Sequence, residues 1–236
     1  MIPDSTHIFD VVRLTKTLQS AGDTVSVIRD VSFSVNKGEF VVLHGSHGSG
    51  KSILFYSLLG LEPPTTGTVY MEGVDMYALS EPERAVLRRK KIGIIYRNPL
   101  WIHSLDVLQN IEFSIHLSDP CAYDVQERAV SILKQMGVEK WMHHRPSDLN
   151  GETQIIISIG RALASSPSII MGDDITKHLE PDAGHSVMNA LSSLNKRGTT
   201  VTIVTSNDHY RGFANRSIRL EDGHNAEDIM SASLYL

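Results

Sequence analysis

Eight consecutive residues, Gly45, Ser46, His47, Gly48, Ser49, Gly50, Lys51 and Ser52, satisfy the pattern G-x-x-x-x-G-K-[ST] in full. They follow the apolar run Val41-Val42-Leu43 and lead into a segment with helical spacing. Each part of the pattern has a physical task. Small residues let backbone N–H groups face a polyphosphate, and a helix N-terminus adds partial positive charge. Lys51 would reach the terminal phosphates, and the Ser52 hydroxyl would ligate Mg²⁺. Far downstream, Ile169-Ile170-Met171-Gly172 runs into Asp173-Asp174. The first acid of such a pair would hold the water shell of Mg²⁺, and the second could orient an attacking water. The chemistry indicated is binding of a nucleoside triphosphate with Mg²⁺. Hydrolysis is a separate matter, and it turns on Asp174 and its surroundings.

The elements that must place these residues are readable from periodicity. Residues 8–14 and 31–35 alternate apolar and polar side chains and predict half-buried antiparallel strands, with Asn36-Lys37-Gly38 as a turn. Residues 40–44 are continuously apolar up to His44, as expected of a strand covered on both faces. The helix opening at Lys51 carries Ile53, Leu54, Leu58 and Leu59 and stops near Gly60, before Pro63-Pro64. Short strands are expected at 68–71 and 92–96, with a charged surface helix at 81–91 between them. Residues 97–148 differ in texture: Pro99, Pro120 and Pro146 punctuate them, and Ala129, Val130, Leu133 and Met136 share one helical face. This stretch is expected to be a helical insertion within a single domain spanning residues 1–236. Val187, Leu191 and Leu194 mark a further helix, and strands at 201–205 and 217–220 close the sheet. One segment is in conflict with itself. Gln154-Ile155-Ile156-Ile157-Ser158-Ile159-Gly160 is β-branched and reads as strand on propensity alone.

Composition narrows the function classes. A chain of 236 residues can bury one large α/β core. A formal charge of −5 argues against a dedicated nucleic-acid binder, which would carry a basic face. Cys121 is the single cysteine, so no intrachain disulfide can form, and it reads as a buried or idle thiol rather than a nucleophile. His143-His144 reads as a surface pair lacking a third metal ligand. No apolar run approaches the ~20 residues of a membrane span, so membrane association is expected through a partner.

The order of elements and motifs resembles the ATP-binding subunits of ABC transporters. It is most similar to the branch that serves lipoprotein release, macrolide export and the cell-division ABC complex. The likeness runs from about residue 8 to residue 223 and includes Val31-Ser32-Phe33-Ser34-Val35, Gly38-Glu39-Phe40 and Leu87-Arg88-Arg89. It continues through Ile92-Gly93-Ile94-Ile95-Tyr96, Asn110-Ile111-Glu112, His144-Arg145-Pro146-Ser147 and Arg161-Ala162-Leu163-Ala164. The resemblance implies an ABC-type P-loop nucleotide-binding domain: a mostly parallel sheet with helices, an antiparallel β-subdomain and a helical subdomain. It also makes residues 154–160 helical. Its cofactors are ATP and Mg²⁺. Its partners are an integral-membrane permease and a second ATP-binding subunit, and it lies on the cytoplasmic face of the membrane through the permease. In that family each ATP is clamped between the phosphate loop of one subunit and the signature motif of the other.

Matched against that family, the chain departs at the catalytic positions. Arg97 stands at the Q-loop glutamine, and Leu149-Asn150-Gly151-Glu152-Thr153 replaces the signature L-S-G-G-Q. Asp174 stands for the catalytic glutamate, with Ile175 for the following proline and Leu179-Glu180 for the leucine–aspartate of the D-loop. Ser206 replaces the switch histidine, and Leu18 the aromatic that stacks on adenine. Lys51, Ser52 and Asp173 are kept. Asp174 is one methylene shorter than glutamate, and a misplacement of about 1 Å can cost ~100-fold in rate. Ser206 has no imidazole for the γ-phosphate. Arg97 exchanges an amide oxygen for a cation that could hold a phosphate oxygen. Glu152 brings like charge towards the partner's nucleotide, worth roughly 4 kcal/mol at about 4 Å and an effective dielectric near 20.

These residues imply an ATP-binding subunit that keeps its nucleotide and hydrolyses it weakly or not at all. An active transport ATPase and a purely structural scaffold for a permease are the rival readings. Leu100-Trp101-Ile102, just past Arg97, is expected either to join the core or to receive the permease.

Overall fold

The computed structural model describes residues 6–20 and 23–230. Strands β1 (His7–Ser20) and β2 (Asp23–Asn36) pair antiparallel in a long twisted ribbon. Both run well beyond the alternating segments at 8–14 and 31–35. Register shifts between Val11 and Leu14 and between Lys16 and Thr17 break the alternation while pairing continues. Strand β3 (Phe40–His44) is buried at all five residues and leads through the glycine loop into α1 (Lys51–Leu58). Strands β4 (Thr66–Met71) and β5 (Val74–Asp75) complete a four-stranded antiparallel sheet, ordered β2-β1-β4-β5. Helix α2 (Glu81–Lys91) buries no residue and opens with the Glu83 carboxylate accepting from Ser80 N–H at 2.8 Å.

Strand β6 (Ile92–Ile95) is followed by α3 (Val107–Ser118), α4 (Val125–Gln135) and α5 (Gly151–Leu163). The chain then returns to the sheet with β7 (Ile169–Asp173), α6 (Pro181–Lys196), β8 (Thr200–Thr205), β9 (Arg216–Glu221) and β10 (His224–Met230). The second sheet is ordered β10-β9-β3-β8-β7-β6, with every pair parallel except β10 on β9. The sheet therefore does not close at residues 217–220. Strand β10 lies outside them, unannounced because its side chains are mostly polar and exposed.

Successive residues of the central strands feed opposite cores, as the period of two requires. Val41 and Leu43 of β3, and Ile169 and Met171 of β7, pack with the antiparallel sheet and α1. Phe40, Val42 and Ile170 face the other way, onto Ile155 and Ile159 of α5 and Val187, Met188 and Leu191 of α6. A third cluster joins α3 and α4 to Ile157 of α5. Helix α5 thus buries isoleucines in two cores at once. The β-branched penalty of a few tenths of a kcal/mol per residue is overridden by that burial, each side chain contributing about 1.5–3 kcal/mol. Gly160 is part of the fit, because a Cβ there would sit 3.2 Å from Ile132 Cγ2.

Candidate functional site

Strand β3 delivers the chain into residues 45–52 at the carboxyl edge of the parallel sheet. Gly50 has φ +94°, and a Cβ on it would lie 2.4 Å from the Val27 carbonyl oxygen, so only glycine lets the loop pass β2. Helix α1 then starts with no side-chain cap and no acidic residue in its first turn. Its N-terminal N–H groups and dipole are left for an anion. Lys51 is buried, and its Nζ donates to Gly45 O at 2.9 Å, Ser46 O at 2.6 Å and Ser49 Oγ at 3.3 Å. Burial lowers its pKa, against the opposing pull of Asp174, Asp173 and Asp208. The lysine is held over the loop by the loop's own oxygens.

The acids approach the same loop from β7 and the turn after it. Ser52 and Asp173 line one cavity, and the pKa of Asp173 is raised by burial and by the neighbouring Asp174, with Arg97, Ser52 and Lys51 opposing. Asp174 has φ +47°, a left-handed conformation costing a non-glycine residue of order 1–3 kcal/mol. Its N–H bonds the Val204 carbonyl at 2.7 Å, and its carboxylate is occupied on both sides. Arg97 Nη2 donates to Oδ2 at 3.0 Å, while Ser206 donates to Oδ1 through its N–H at 2.9 Å and its hydroxyl at 3.3 Å. Three positions far apart in sequence thus form one hydrogen-bonded cluster beside the phosphate loop.

The family model described as "ABC transporter" matches residues 28–177. This chain belongs to the ABC transporter family. An uncharacterized ABC transporter ATP-binding protein of Methanocaldococcus jannaschii is 35% identical over 202 residues, covering 86% of this chain and 90% of that protein. The macrolide export ATP-binding/permease protein MacB of Wolinella succinogenes is 31% identical over 229 residues. That match covers 96% of this chain, which spans only 36% of MacB. Among solved structures, the dimeric ABC transporter cassette MJ0796 superposes with a TM-score of 0.86 at 30% identity, covering 96% of this chain and all of that one. Its post-hydrolysis dimer bound to ADP and Pi gives 0.85. Within the family, this chain is the ATP-binding subunit, with the mixed sheets and helices of the ABC cassette fold.

The ABC cassette's signature segment lies elsewhere on the surface. Asn150 caps α5, its Oδ1 accepting from Thr153 N–H at 2.8 Å, and Glu152 sits in the first turn, where the helix dipole favours a carboxylate. This end of α5 is thereby provided with its own acceptor and its own negative charge. No hydrogen bond or ion pair described here joins residues 149–153 to the phosphate loop.

Trp101 was legible only as part of an apolar run, and the structure gives it a definite position. Its Nε1 donates to Gln154 Oε1 at 2.9 Å, and Gln154 Nε2 donates to Leu149 O at 2.9 Å. The Arg161 guanidinium stacks 4.5 Å from the centroid of the Trp101 ring and donates to the Leu100 carbonyl. The run therefore divides: Trp101 packs onto the helical core, while Leu100 remains 66% exposed. Two further residues escaped sequence reasoning. Val27 lines the cavity beside Gly48, Gly50 and Lys51 from the β-hairpin. His44, buried at the end of β3, pairs its Nδ1 with Asp208 at 2.9 Å. Neither carries a signal that spacing would flag. Cys121 is exposed and free.

A divalent cation would find two oxygen donors on one cavity here, the Ser52 hydroxyl and Asp173. Among the described residues no group of three His, Cys, Asp or Glu is placed to hold a metal. The remaining positions would fall to water and phosphate oxygens, as is usual for Mg²⁺. The residues fit that ion.

Proposed function

We propose that this ABC subunit holds ATP on residues 45–52 and turns it over weakly or not at all. The observation that supports this reading is the occupied carboxylate of Asp174. A base must present a free oxygen within about 2.6–3.2 Å of the water it deprotonates. Three of the roughly four acceptor sites of the Asp174 carboxylate are already taken by fixed donors, Arg97 on one oxygen and Ser206 twice on the other, so a water must compete for the fourth. Lys51, now bonded to the loop's carbonyl oxygens, would exchange them for phosphate oxygens, and the uncapped α1 N-terminus would face the same phosphates. Mg²⁺, held by Ser52 and Asp173, would supply charge neutralisation between phosphate oxygens.

The partners are an integral-membrane permease and a second, non-identical ATP-binding subunit, and the permease places this chain on the cytoplasmic face of the membrane. Leu100, 66% exposed, and Tyr56, 38% exposed, border one cavity and offer apolar surface for the permease. Likeness to the macrolide export protein MacB supports an export setting. Calorimetric titration with ATP, paired with a phosphate-release assay, tests the proposal. Binding lost in Lys51→Ala, with turnover near background, is the expected result. Equal affinity in both proteins, or brisk turnover that disappears in Asp174→Asn, would overturn it.

A further inference from the structure

Resting on the reading that the subunit holds ATP, we infer that Arg97 provides the positive charge otherwise brought by a divalent cation, so that ATP binding does not require Mg²⁺. Arg97 lines the cavity that contains Lys51 and Ser52, and also the neighbouring cavity that contains Ser52 and Asp173. The guanidinium therefore borders both spaces that meet at the Ser52 hydroxyl, beside the two residues that would hold the metal. It is hydrogen-bonded to Asp174 at 3.0 Å, and its charge acts on Asp173.

Charge balance gives this placement its consequence. Lys51 and Arg97 offset the carboxylates of Asp173 and Asp174, so the four side chains carry no net charge. An uncharged residue at position 97 would leave one negative charge in excess next to a polyphosphate, and a metal would then be needed before the anion could settle. A guanidinium also has five N–H donors in a fork that suits phosphate oxygens. The bond to Asp174 does not use them up: it engages Nη2 alone, and no hydrogen bond among the described residues engages Nη1. Arg97 can thus remain on Asp174 while another edge of the fork donates to a phosphate oxygen.

The test is titration with ATP, in excess Mg²⁺ and separately in excess chelator, of the wild-type chain and of Arg97→Gln. Thermal melts confirm that both are folded. The wild type should bind with affinities within about threefold in the two conditions. Arg97→Gln should bind comparably in Mg²⁺ but lose about 10–100-fold in chelator, the worth of a charge-assisted hydrogen bond. Arg97→Lys, which keeps the charge without the fork, should fall between them. A wild type that loses tenfold or more in chelator overturns the inference and leaves the nucleotide-holding reading standing. So does an Arg97→Gln variant as indifferent to chelator as the wild type. Absence of ATP binding by the wild type in both conditions defeats the reading itself, and the inference with it.

Discussion

At the scale of single residues, the departures implied by the family resemblance are legible one by one, but their mutual contact is not. Arg97, Asp174 and Ser206 are separated by tens of residues, and only the arrangement of β6, β7 and β8 side by side brings them together. The sequence suggested that Arg97 would turn to phosphate and that Asp174 would fall short of a water. The structure adds that the arginine and serine occupy the aspartate. It follows that no single reversal suffices. Ser206→His removes one donor hydroxyl but leaves the Arg97 pair and the backbone N–H in place, so its phosphate release should remain at the wild-type level. The triple variant Arg97→Gln, Asp174→Glu, Ser206→His should gain more than the product of the three single changes, because such groups act as a unit. Full recovery in any one single variant would show that the cluster is not the obstacle. Stability offers an independent measurement. Asp174→Asn leaves the Arg97 guanidinium, only one-third exposed, without its counter-charge, and should cost about 1–2 kcal/mol in chemical denaturation. The same substitution beside Arg97→Gln should cost less, since the cation it abandons is gone.

At the scale of elements, the best-read segments were those whose local chemistry and tertiary role agree. The phosphate loop, α2 and β7 are examples, since capping, periodicity and burial all point one way there. Legibility failed where long-range packing decides. Strand β10 shows no alternation, yet it is held by the Arg216 guanidinium, which donates to both carboxylate oxygens of Asp228 at 2.6 Å. Helix α5 reads as strand until its two cores are known. Its connection to the segment after β6 through Trp101 depends on an indole N–H finding a glutamine across a fold. Trp101→Phe keeps much of the ring packing but leaves Gln154 Oε1 without its donor. It should lower stability by about 1 kcal/mol by urea denaturation, with an unchanged m-value. An effect below the error of the measurement would show that Gln154 readily finds another donor. Asn150→Ala, which removes the α5 cap, should cost a similar ~1 kcal/mol. The double variant should depart from the sum of the two losses, because Gln154, the partner of the indole, also bonds Asn150 and Leu149 in the same turn.

For the whole molecule, the distribution of altered residues bears on which subunit it pairs with. In the head-to-tail pairing that the family resemblance implies, a homodimer would bring the Arg97–Asp174–Ser206 cluster and the Glu152-bearing signature together at both nucleotides. Pairing with an unaltered subunit would separate them. One nucleotide would lie on this chain's phosphate loop against a good signature. The other would lie on the partner's loop, with the partner's own base, against Asn150 and Glu152. The second arrangement keeps the chemistry and weakens only a clamp. Repulsion from Glu152 is screened by solvent at an exposed helix end and moderated by its own helix dipole. Loss of a positioned base has no such substitute. The expectation is therefore a heteromeric complex in which turnover occurs on the partner's loop, while ATP on this chain remains bound and holds the subunits together. Reconstitution with the permease and both ATP-binding subunits allows each acid to be neutralised separately. Asp174→Asn should leave phosphate release within a few-fold of the starting complex, and loss of the partner's glutamate should abolish it. Lys51→Ala, which empties this chain's loop without touching the partner's chemistry, should weaken assembly more than it slows each assembled complex. A native complex holding two copies of this chain and no other ATP-binding subunit would contradict this arrangement, as would turnover that stops with Asp174→Asn alone.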